Sequence, residues 1–225
     1  MCLDLTTGFV ARVHPIGDSI VYGVGATLLG GWRQGAYGAF VSAPPLIRFI
    51  GTQTGNPGGL TIDPNHEGIP GATIFQTMIA DDILSRIAAF GPDIVILQAG
   101  TNDIGISGHT SGRVLADMSS ELDIAYGYLT LPWSQIIVSY ILRRKDSFNP
   151  TVQAVNAGIP AMVAGKSYAS RVVIADGVYG ALDDGDYAPA DDVHPADSGY
   201  AKLADVYAAV IATARTQMNA LRVGA

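Results

Sequence analysis

The feature that most constrains this sequence is a series of short apolar runs, rich in β-branched residues and separated by longer segments. Five such runs occur along the chain: "VARVHPIG" (10–17), "LIRFIG" (46–51), "DIVILQAG" (93–100), "QIIVSYI" (135–141) and "RVVIADG" (171–177). A run that is apolar on both faces is typical of a parallel strand covered by helices above and below. The runs therefore predict about five parallel strands. The first should end just before Gly17, since Pro15 cannot donate to a strand ladder.

The segments between these runs carry helical patterns. From Ala72 to Phe90 apolar residues recur at helical spacing, at Phe75, Met78, Ile79, Ile83, Ile87 and Phe90. Residues 112–129 and 151–166 also predict helices. A last helix, with Asp197 or Ser198 as its N-cap, would place one apolar face on the core: Leu203, Val206, Tyr207, Val210, Ile211, Met218 and Leu221. Strand and helix alternate throughout, which predicts an α/β fold, a three-layer α/β/α sandwich, with residues 1–225 forming a single domain.

Composition excludes several classes of protein. Charged residues make up 15% of the chain and hydrophobic residues 48%, yet no run approaches the roughly 18 to 20 apolar residues of a membrane helix. The net charge is −7 and the longest basic run is Arg143-Arg144-Lys145, so we expect neither nucleic acid as a partner nor membrane insertion. Cys2 is the one cysteine, which rules out an intrachain disulfide. The start "MCLDLTTGFV" lacks the features of a signal peptide, which favours the cytoplasm over secretion with a removed leader.

Polar residues follow four of the predicted strands. Gly17-Asp18-Ser19 follows the first, "HEGIPGAT" (66–73) the second, "GTND" (100–103) the third and "DDVHP" (191–195) the fifth. Because the carboxyl ends of parallel strands meet at one edge of a sheet, these four segments should lie together there.

These four segments resemble the conserved blocks of the SGNH, or GDSL, hydrolase superfamily. The resemblance spans roughly residues 12 to 208 and implies the same sandwich, with a flavodoxin-like central parallel sheet of about five strands. More narrowly, "HPIGDSI", "DPNHEGIPGATI" and "DDVHPADSGYAKLAD" look like the acetylxylan-esterase group of carbohydrate esterases. This implies a serine esterase that removes short acyl groups, acetyl above all, from a small-molecule or carbohydrate ester, with no cofactor and no metal.

The residues themselves suit that chemistry. A serine hydroxyl is a poor nucleophile until a base takes its proton, and Ser19 at the first strand-to-helix turn is the candidate nucleophile. His194 is the candidate base, because imidazole both accepts and returns a proton near neutral pH. Asp191, three residues upstream, is the candidate for orienting His194; Asp192 is its rival, and the superfamily pattern favours Asp191.

For the oxyanion, the resemblance implies three donors: the backbone N–H of Ser19, the backbone N–H of Gly71 and the side-chain amide of Asn102. Glycine at 71 leaves room for substrate and permits unusual dihedral angles. Asp18 and Asp103 should brace these loops. His14 should pack or hydrogen-bond inside its strand and His109 should be solvated.

Several alternatives stay open. The glycine-rich stretch after Ser19 would also suit a non-catalytic, flavodoxin-like module that binds phosphate or flavin. The acidic segment "LDDGDYAPADD" (182–192) would suit calcium. Among esterases, an arylesterase, a lysophospholipase, a thioesterase or an acyltransferase would use the same scaffold. Trp32, Tyr37, His66 and Glu67 could line an acceptor pocket, although Trp32 and Tyr37 would suit the core equally well. Sequence leaves the oligomeric state open.

Overall fold

The computed structural model describes residues 9–41, 46–54, 63 and 65–223, so Cys2 and the start of the chain lie outside the described residues. At its centre is a parallel sheet. The strands are β1 (Ala11–Gly17), β2 (Ile47–Phe49), β3 (Glu67–Gly68), β4 (Ile94–Gln98), β5 (Gln135–Ser139) and β6 (Val172–Ala175). Their order is β2-β1-β4-β5-β6, and β3 pairs with the end of β1 beyond β2. The five predicted strands are confirmed, and the two-residue β3 is an addition.

The strand order determines where a ligand can reach the sheet. Without the short β3, the order corresponds to the flavodoxin-like pattern, in which the chain reverses its direction of progress between β1 and β4. β1 and β4 are in register from Val13 opposite Ile94 to Gly17 opposite Gln98. The loops that follow these two strands therefore leave side by side and open a crevice at the carboxyl edge.

Helices cover both faces of the sheet. The α-helices are α1 (Ser19–Tyr22), α2 (Gly31–Gly38), α3 (Arg86–Phe90), α4 (Thr101–Gly105), α5 (Ser111–Gly127), α6 (Asn149–Ala164), α7 (Gly177–Gly180) and α8 (Asp197–Val223). A π-helix spans Ile74–Ala80, and short 3₁₀ turns span Ile83–Ser85, Ala169–Arg171 and Asp184–Asp186. α5 and α6 agree with their predicted ranges within two residues at each end. The three-layer prediction is confirmed.

Two apolar cores result, one on each face. The first lies under α2 and α8, where the Trp32 ring stacks on Tyr207 with centroids 3.9 Å apart. The second lies under α5 and α6 and includes Met78 and Leu122. β4 and β5 are buried at every position because they contribute to both cores.

Two expectations about α8 are wrong. The helix begins at Asp197, so Asp197 lies inside its first turn rather than capping it. The Asp197 carboxylate instead accepts hydrogen bonds from the backbone N–H and the hydroxyl of Thr27, at 2.9 and 2.6 Å. Leu221, predicted to face the core, is exposed in the last turn.

The predicted continuous helix over 72–90 is also wrong. Its first part is a π-helix, in which the backbone N–H of Met78 reaches Thr73 five residues back at 3.2 Å. Asp82 then adopts a left-handed conformation, with φ of 55°, and separates this turn from α3. The wider winding changes which side chains face inward: Met78 is fully buried, whereas Phe75 is 50% exposed.

Candidate active site

Ser19, His194 and Asp191 meet at the carboxyl edge of the sheet. Ser19 is the first residue of α1, and its Oγ lies 2.8 Å from His194 Nε2, although the two residues are 175 positions apart. His194 Nδ1 lies 2.8 Å from Asp191 Oδ2. If Nδ1–H donates to the carboxylate, Nε2 is left as an acceptor for the serine proton.

The Asp191 carboxylate is held by its own loop. Its Oδ1 accepts the backbone N–H groups of Val193 and His194, at 2.7 and 2.9 Å. Burial raises the pKa of Asp191, but these two N–H groups and the imidazole outweigh it, so the pKa lies below its ordinary value. The rival Asp192 is exposed, with its carboxylate 3.8 Å from Lys145 Nζ. The geometry therefore favours Asp191 over Asp192.

The loop that carries His194 is fixed on two sides. On one side, the Ala188 N–H donates to the His194 carbonyl at 2.9 Å. On the other side, Gly25 packs so closely that a Cβ there would lie 2.4 Å from the Pro195 carbonyl oxygen. Gly25 also has φ of 93°, which an L-residue with a side chain adopts only with strain. These contacts hold the imidazole in place over Ser19.

The acidic segment beside this loop is largely paired with lysine and arginine. Lys202 Nζ contacts both Asp183 and Asp186, at 2.9 and 2.6 Å, and Arg143 contacts Asp184 at 2.7 Å. Each of these three carboxylates already contacts a cation of the protein, so their arrangement is that of a structural ion-pair network. The hypothesis of a calcium loop over 182–192 gains no support from it.

The turn that presents Ser19 depends on Gly17 and Asp18. A Cβ at Gly17 would lie 2.1 Å from the carbonyl oxygen of Gln98, so only glycine fits between β1 and β4. Asp18 Oδ1 accepts the Ile20 N–H at 2.9 Å, which is the brace that the sequence predicts. Burial, with a smaller contribution from nearby Asp103, raises the pKa of Asp18 to about 7, although the hydrogen bond from the Ile20 N–H lowers it.

Gly71 and Asn102 lie on two segments that are bonded to each other. The Asn102 side-chain amide donates one N–H to the Ala72 carbonyl at 2.9 Å, which leaves its second N–H available. Gly71 is exposed, and a Cβ there would meet nothing within 4 Å. A larger residue would therefore cause no steric clash at this position. The φ of 80° at Gly71 is the reason for glycine.

The other three histidines are separate from this site. His14 is buried with its ring against Phe90, and burial lowers its pKa to about 4. His66 Nδ1 accepts the Gly68 N–H at 2.9 Å, and burial lowers the pKa of His66 to about 3. The expectation that His109 is solvated is wrong. It is partly buried and belongs to the cluster described next.

A small cluster near the surface contains possible metal ligands. Asp103, His109 and Asp117 place their ligand atoms within 4.8 Å of one another. The Arg113 Nε donates to the Asp117 carboxylate at 2.7 Å, so a cation of the protein already balances part of this charge. Asp103 also accepts the Ile74 N–H, which confirms the bracing role expected of it.

The structure supports the core alternative for Trp32 and Tyr37, because Trp32 is completely buried in the first core and Tyr37 packs against it. The acceptor pocket is wrong for His66 and Glu67, which are also completely buried. Glu67 forms an ion pair with Arg86 and accepts the Thr52 hydroxyl at 2.6 Å. Two exposed apolar side chains instead follow the predicted oxyanion donors: Phe75, which belongs to the predicted helical pattern, and Ile106, which no pattern singles out.

Solved structures with the same fold include carbohydrate esterases as well as GDSL-type lipases and a putative acylhydrolase. A family 3 carbohydrate esterase from Clostridium thermocellum is 26% identical, with a TM-score of 0.74 over 92% of this chain and 98% of that one. A carbohydrate esterase family 3 protein from Talaromyces cellulolyticus is 25% identical, with a TM-score of 0.72 over the same shares. An acetyl esterase, solved as a serine-to-alanine mutant with an acetate ion, is 25% identical, with a TM-score of 0.70 and again the same coverage. A comparison with curated proteins finds no match.

The family follows from a direct match. The model of the GDSL-like lipase/acylhydrolase family matches residues 16–202, well over half of the chain. The chain therefore belongs to the GDSL-like lipase/acylhydrolase family, and it is a carboxylic ester hydrolase. Each helix in the described part of the chain is too short or too polar to cross a bilayer.

Proposed function

We propose that this protein is a serine esterase that removes short acyl groups, acetyl above all, from carbohydrate esters. The observation that carries the proposal is the pair of 2.8 Å contacts that link Ser19 to His194 and His194 to Asp191. Hydroxyl, imidazole and carboxylate in this order are the arrangement by which serine hydrolases activate their nucleophile.

In the proposed mechanism Ser19 Oγ attacks the acyl carbon while His194 Nε2 takes the serine proton. His194 then gives that proton to the oxygen of the leaving alcohol, and the acyl group stays on Ser19 as an ester. Water, deprotonated by His194, attacks this ester and releases the acid, which restores the Ser19 hydroxyl. Asp191 stabilises the imidazolium throughout and keeps Nδ1 protonated, in keeping with the lowered pKa of its carboxyl.

Three donors would stabilise the negative oxygen of each tetrahedral intermediate. Ser19 is the first residue of α1, so its backbone N–H has no acceptor within the helix. Within the described residues, no backbone acceptor takes the Gly71 N–H, and Asn102 retains one free amide N–H. Asn102 is neutral, so it donates without competing for the proton that His194 carries.

The substrate class rests on the relatives. Two similar structures are family 3 carbohydrate esterases, and a third is an acetyl esterase that holds an acetate ion.

The test compares Ser19→Ala with Ser120→Ala, an exposed serine on α5, on nitrophenyl acetate and on acetylated xylan. We expect Ser19→Ala to lose at least about 10³-fold in kcat while its melting temperature stays near that of the wild type. Ser120→Ala should match the wild type. Retained activity in Ser19→Ala would disprove the nucleophile. A preference for nitrophenyl esters of long chains over acetate would point to a lysophospholipase or thioesterase instead.

A further inference from the structure

Two exposed apolar side chains flank the segments that carry the proposed oxyanion donors. Phe75 follows Gly71 by four residues and is 50% exposed, and Ile106 follows Asn102 by four residues and is 70% exposed. Isolated exposed apolar residues are common on protein surfaces, but these two each follow a proposed oxyanion donor by the same interval. Of the two, Phe75 is the one whose surroundings the structure defines.

The position of Phe75 relative to the site is fixed. The backbone N–H of Ile74, the residue before it, is 3.1 Å from each oxygen of the Asp103 carboxylate. Asn102, next to Asp103, donates to Ala72 at 2.9 Å. The start of the π-helix is therefore bonded to the asparagine segment, and Phe75 cannot move independently of the site.

The orientation of the ring is fixed as well. The Arg113 guanidinium carbon lies 5.2 Å from the Phe75 ring centroid, within the range of a cation–π contact. Arg113 is itself held by its hydrogen bond from Nε to Asp117 at 2.7 Å. The ring is thus supported on the Arg113 side, while half of its surface remains in contact with solvent.

The chemistry around the ring selects the kind of ligand. The Arg113 charge is balanced by Asp117, so the surface does not favour an anion. Arg113, whose side chain is 49% exposed, offers hydrogen-bond donors beside the ring. An apolar ring bordered by hydrogen-bonding groups suits a neutral molecule that has C–H groups on one face and hydroxyls at its edge, which describes a sugar ring. A fatty chain has no use for such donors.

We propose that Phe75, with Arg113 beside it, forms a subsite for a sugar ring of the carbohydrate chain whose acyl group lies at Ser19. The inference rests on the proposed function, since it takes the substrate to be a carbohydrate ester. Phe75 binds a part of the substrate that does not react, and it supplies the alcohol specificity that the buried Trp32, His66 and Glu67 do not.

The experiment measures KM for Phe75→Ala and Phe75→Tyr on an acetylated xylo-oligosaccharide and on nitrophenyl acetate. Loss of the ring should raise KM on the oligosaccharide, relative to KM on nitrophenyl acetate, by roughly fivefold to twentyfold, as expected when half of a phenyl side chain no longer contacts ligand. Phe75→Tyr keeps the ring and should restore the wild-type ratio. The control is Tyr126→Ala, an exposed aromatic at the far end of α5, which should leave both KM values unchanged.

A second measurement is independent of turnover. Ser19→Ala should bind the acetylated oligosaccharide in calorimetry, and Ser19→Ala combined with Phe75→Ala should bind it roughly fivefold to twentyfold more weakly. Equal affinities, or a KM ratio that stays at the wild-type value in Phe75→Ala, would overturn the subsite while leaving the esterase proposal intact. Loss of nitrophenyl acetate hydrolysis in Ser19→Ala tests the nucleophile separately. An enzyme that cleaves nitrophenyl acetate but neither binds nor cleaves the oligosaccharide would overturn both the subsite and the carbohydrate substrate.

Discussion

Asp103 binds the backbone of Ile74 through both oxygens of its carboxylate, each 3.1 Å from the Ile74 nitrogen. One buried side chain thus joins the segment after β4 to the segment that carries Gly71. Together with the bond from Asn102 to Ala72, it keeps two proposed oxyanion donors at a constant separation. Donors that are fixed before the reaction need no reorganisation when charge develops on the substrate, which is the main source of their effect.

Replacing Asn102 with alanine tests this arrangement. We expect kcat to fall by about 10²- to 10³-fold with little change in KM, because the amide stabilises an oxygen that becomes negative only in the transition state. The lost bond to Ala72 contributes about 1 kcal/mol, so the melting temperature should fall by only about 2–4 °C. Steady-state kinetics and a thermal melt measure both effects. A wild-type kcat would show that Asn102 is structural only.

Replacing Asp191 with asparagine tests how His194 is oriented. An asparagine amide that donates to Nδ1 would favour the wrong tautomer, and we expect kcat to fall by about 10²- to 10⁴-fold near neutral pH. The matched control is Asp192→Asn, the adjacent residue, whose carboxylate faces Lys145 instead. Comparable losses in the two variants would contradict the assignment of Asp191.

Two glycines of the site should respond differently to alanine. At Gly17 the new Cβ would lie 2.1 Å from the backbone oxygen of Gln98, which cannot move without separating β1 from β4. We expect Gly17→Ala to lose roughly 3 kcal/mol or more of folding free energy. At Gly71 only the positive φ is strained, and the loss should be about 1–2 kcal/mol. Urea unfolding measures both, and equal losses would argue against these contacts.

The buried Glu121 should make stability depend on alkaline pH. Burial, together with smaller contributions from Asp103 and Asp18, raises its pKa from 4.5 to about 8. The unfolded chain therefore releases this proton at lower pH than the folded chain does, and the free energy of unfolding falls as pH rises between about 4.5 and about 8. Glu121→Gln should flatten this slope, so that its melting temperature exceeds that of the wild type at pH 9 by more than at pH 5.

The control for this prediction is Asp123→Asn, an exposed position on the same helix. The pKa of Asp123 is lowered, since its bonds with Lys166 and Tyr168 outweigh the burial that raises it. The contribution of Asp123 to the free energy of unfolding is lost at acid pH. Asp123→Asn should therefore leave the loss of stability at alkaline pH unchanged. An identical alkaline slope for Glu121→Gln and the wild type would show that Glu121 is not buried as described.

The strands and the long helices were predictable because their apolar patterns follow directly from burial on one face or two. The expectation that Ser19, Gly71, Asn102 and His194 lie at one edge of the sheet followed from the rule that the carboxyl ends of parallel strands meet there. The π-helix was not predictable, because an apolar pattern with steps of three and four residues is compatible with either winding. Phe75 was consequently placed in the apolar pattern of a regular helix, although its side chain is half exposed.

The burial of polar residues was the other feature that could not be predicted from the sequence. Glu67 was placed in a pocket because the sequence gives no sign that Arg86, which is distant along the chain, forms an ion pair with it. His109 likewise depends on Asp103 and Asp117 for its position. The single-domain organisation stays a prediction, and so do the catalytic roles of Ser19, His194 and Asp191.

The separation of 175 positions between Ser19 and His194 has a consequence for how activity arises during synthesis. On the proposed mechanism the nucleophile emerges early from the ribosome, but its base arrives only once the segment just before α8 has been translated. A nascent chain would have no esterase activity until then. Colour released from a chromogenic ester would consequently report completed translation and folding, and two fragments divided between these residues would regain activity only by reassembling.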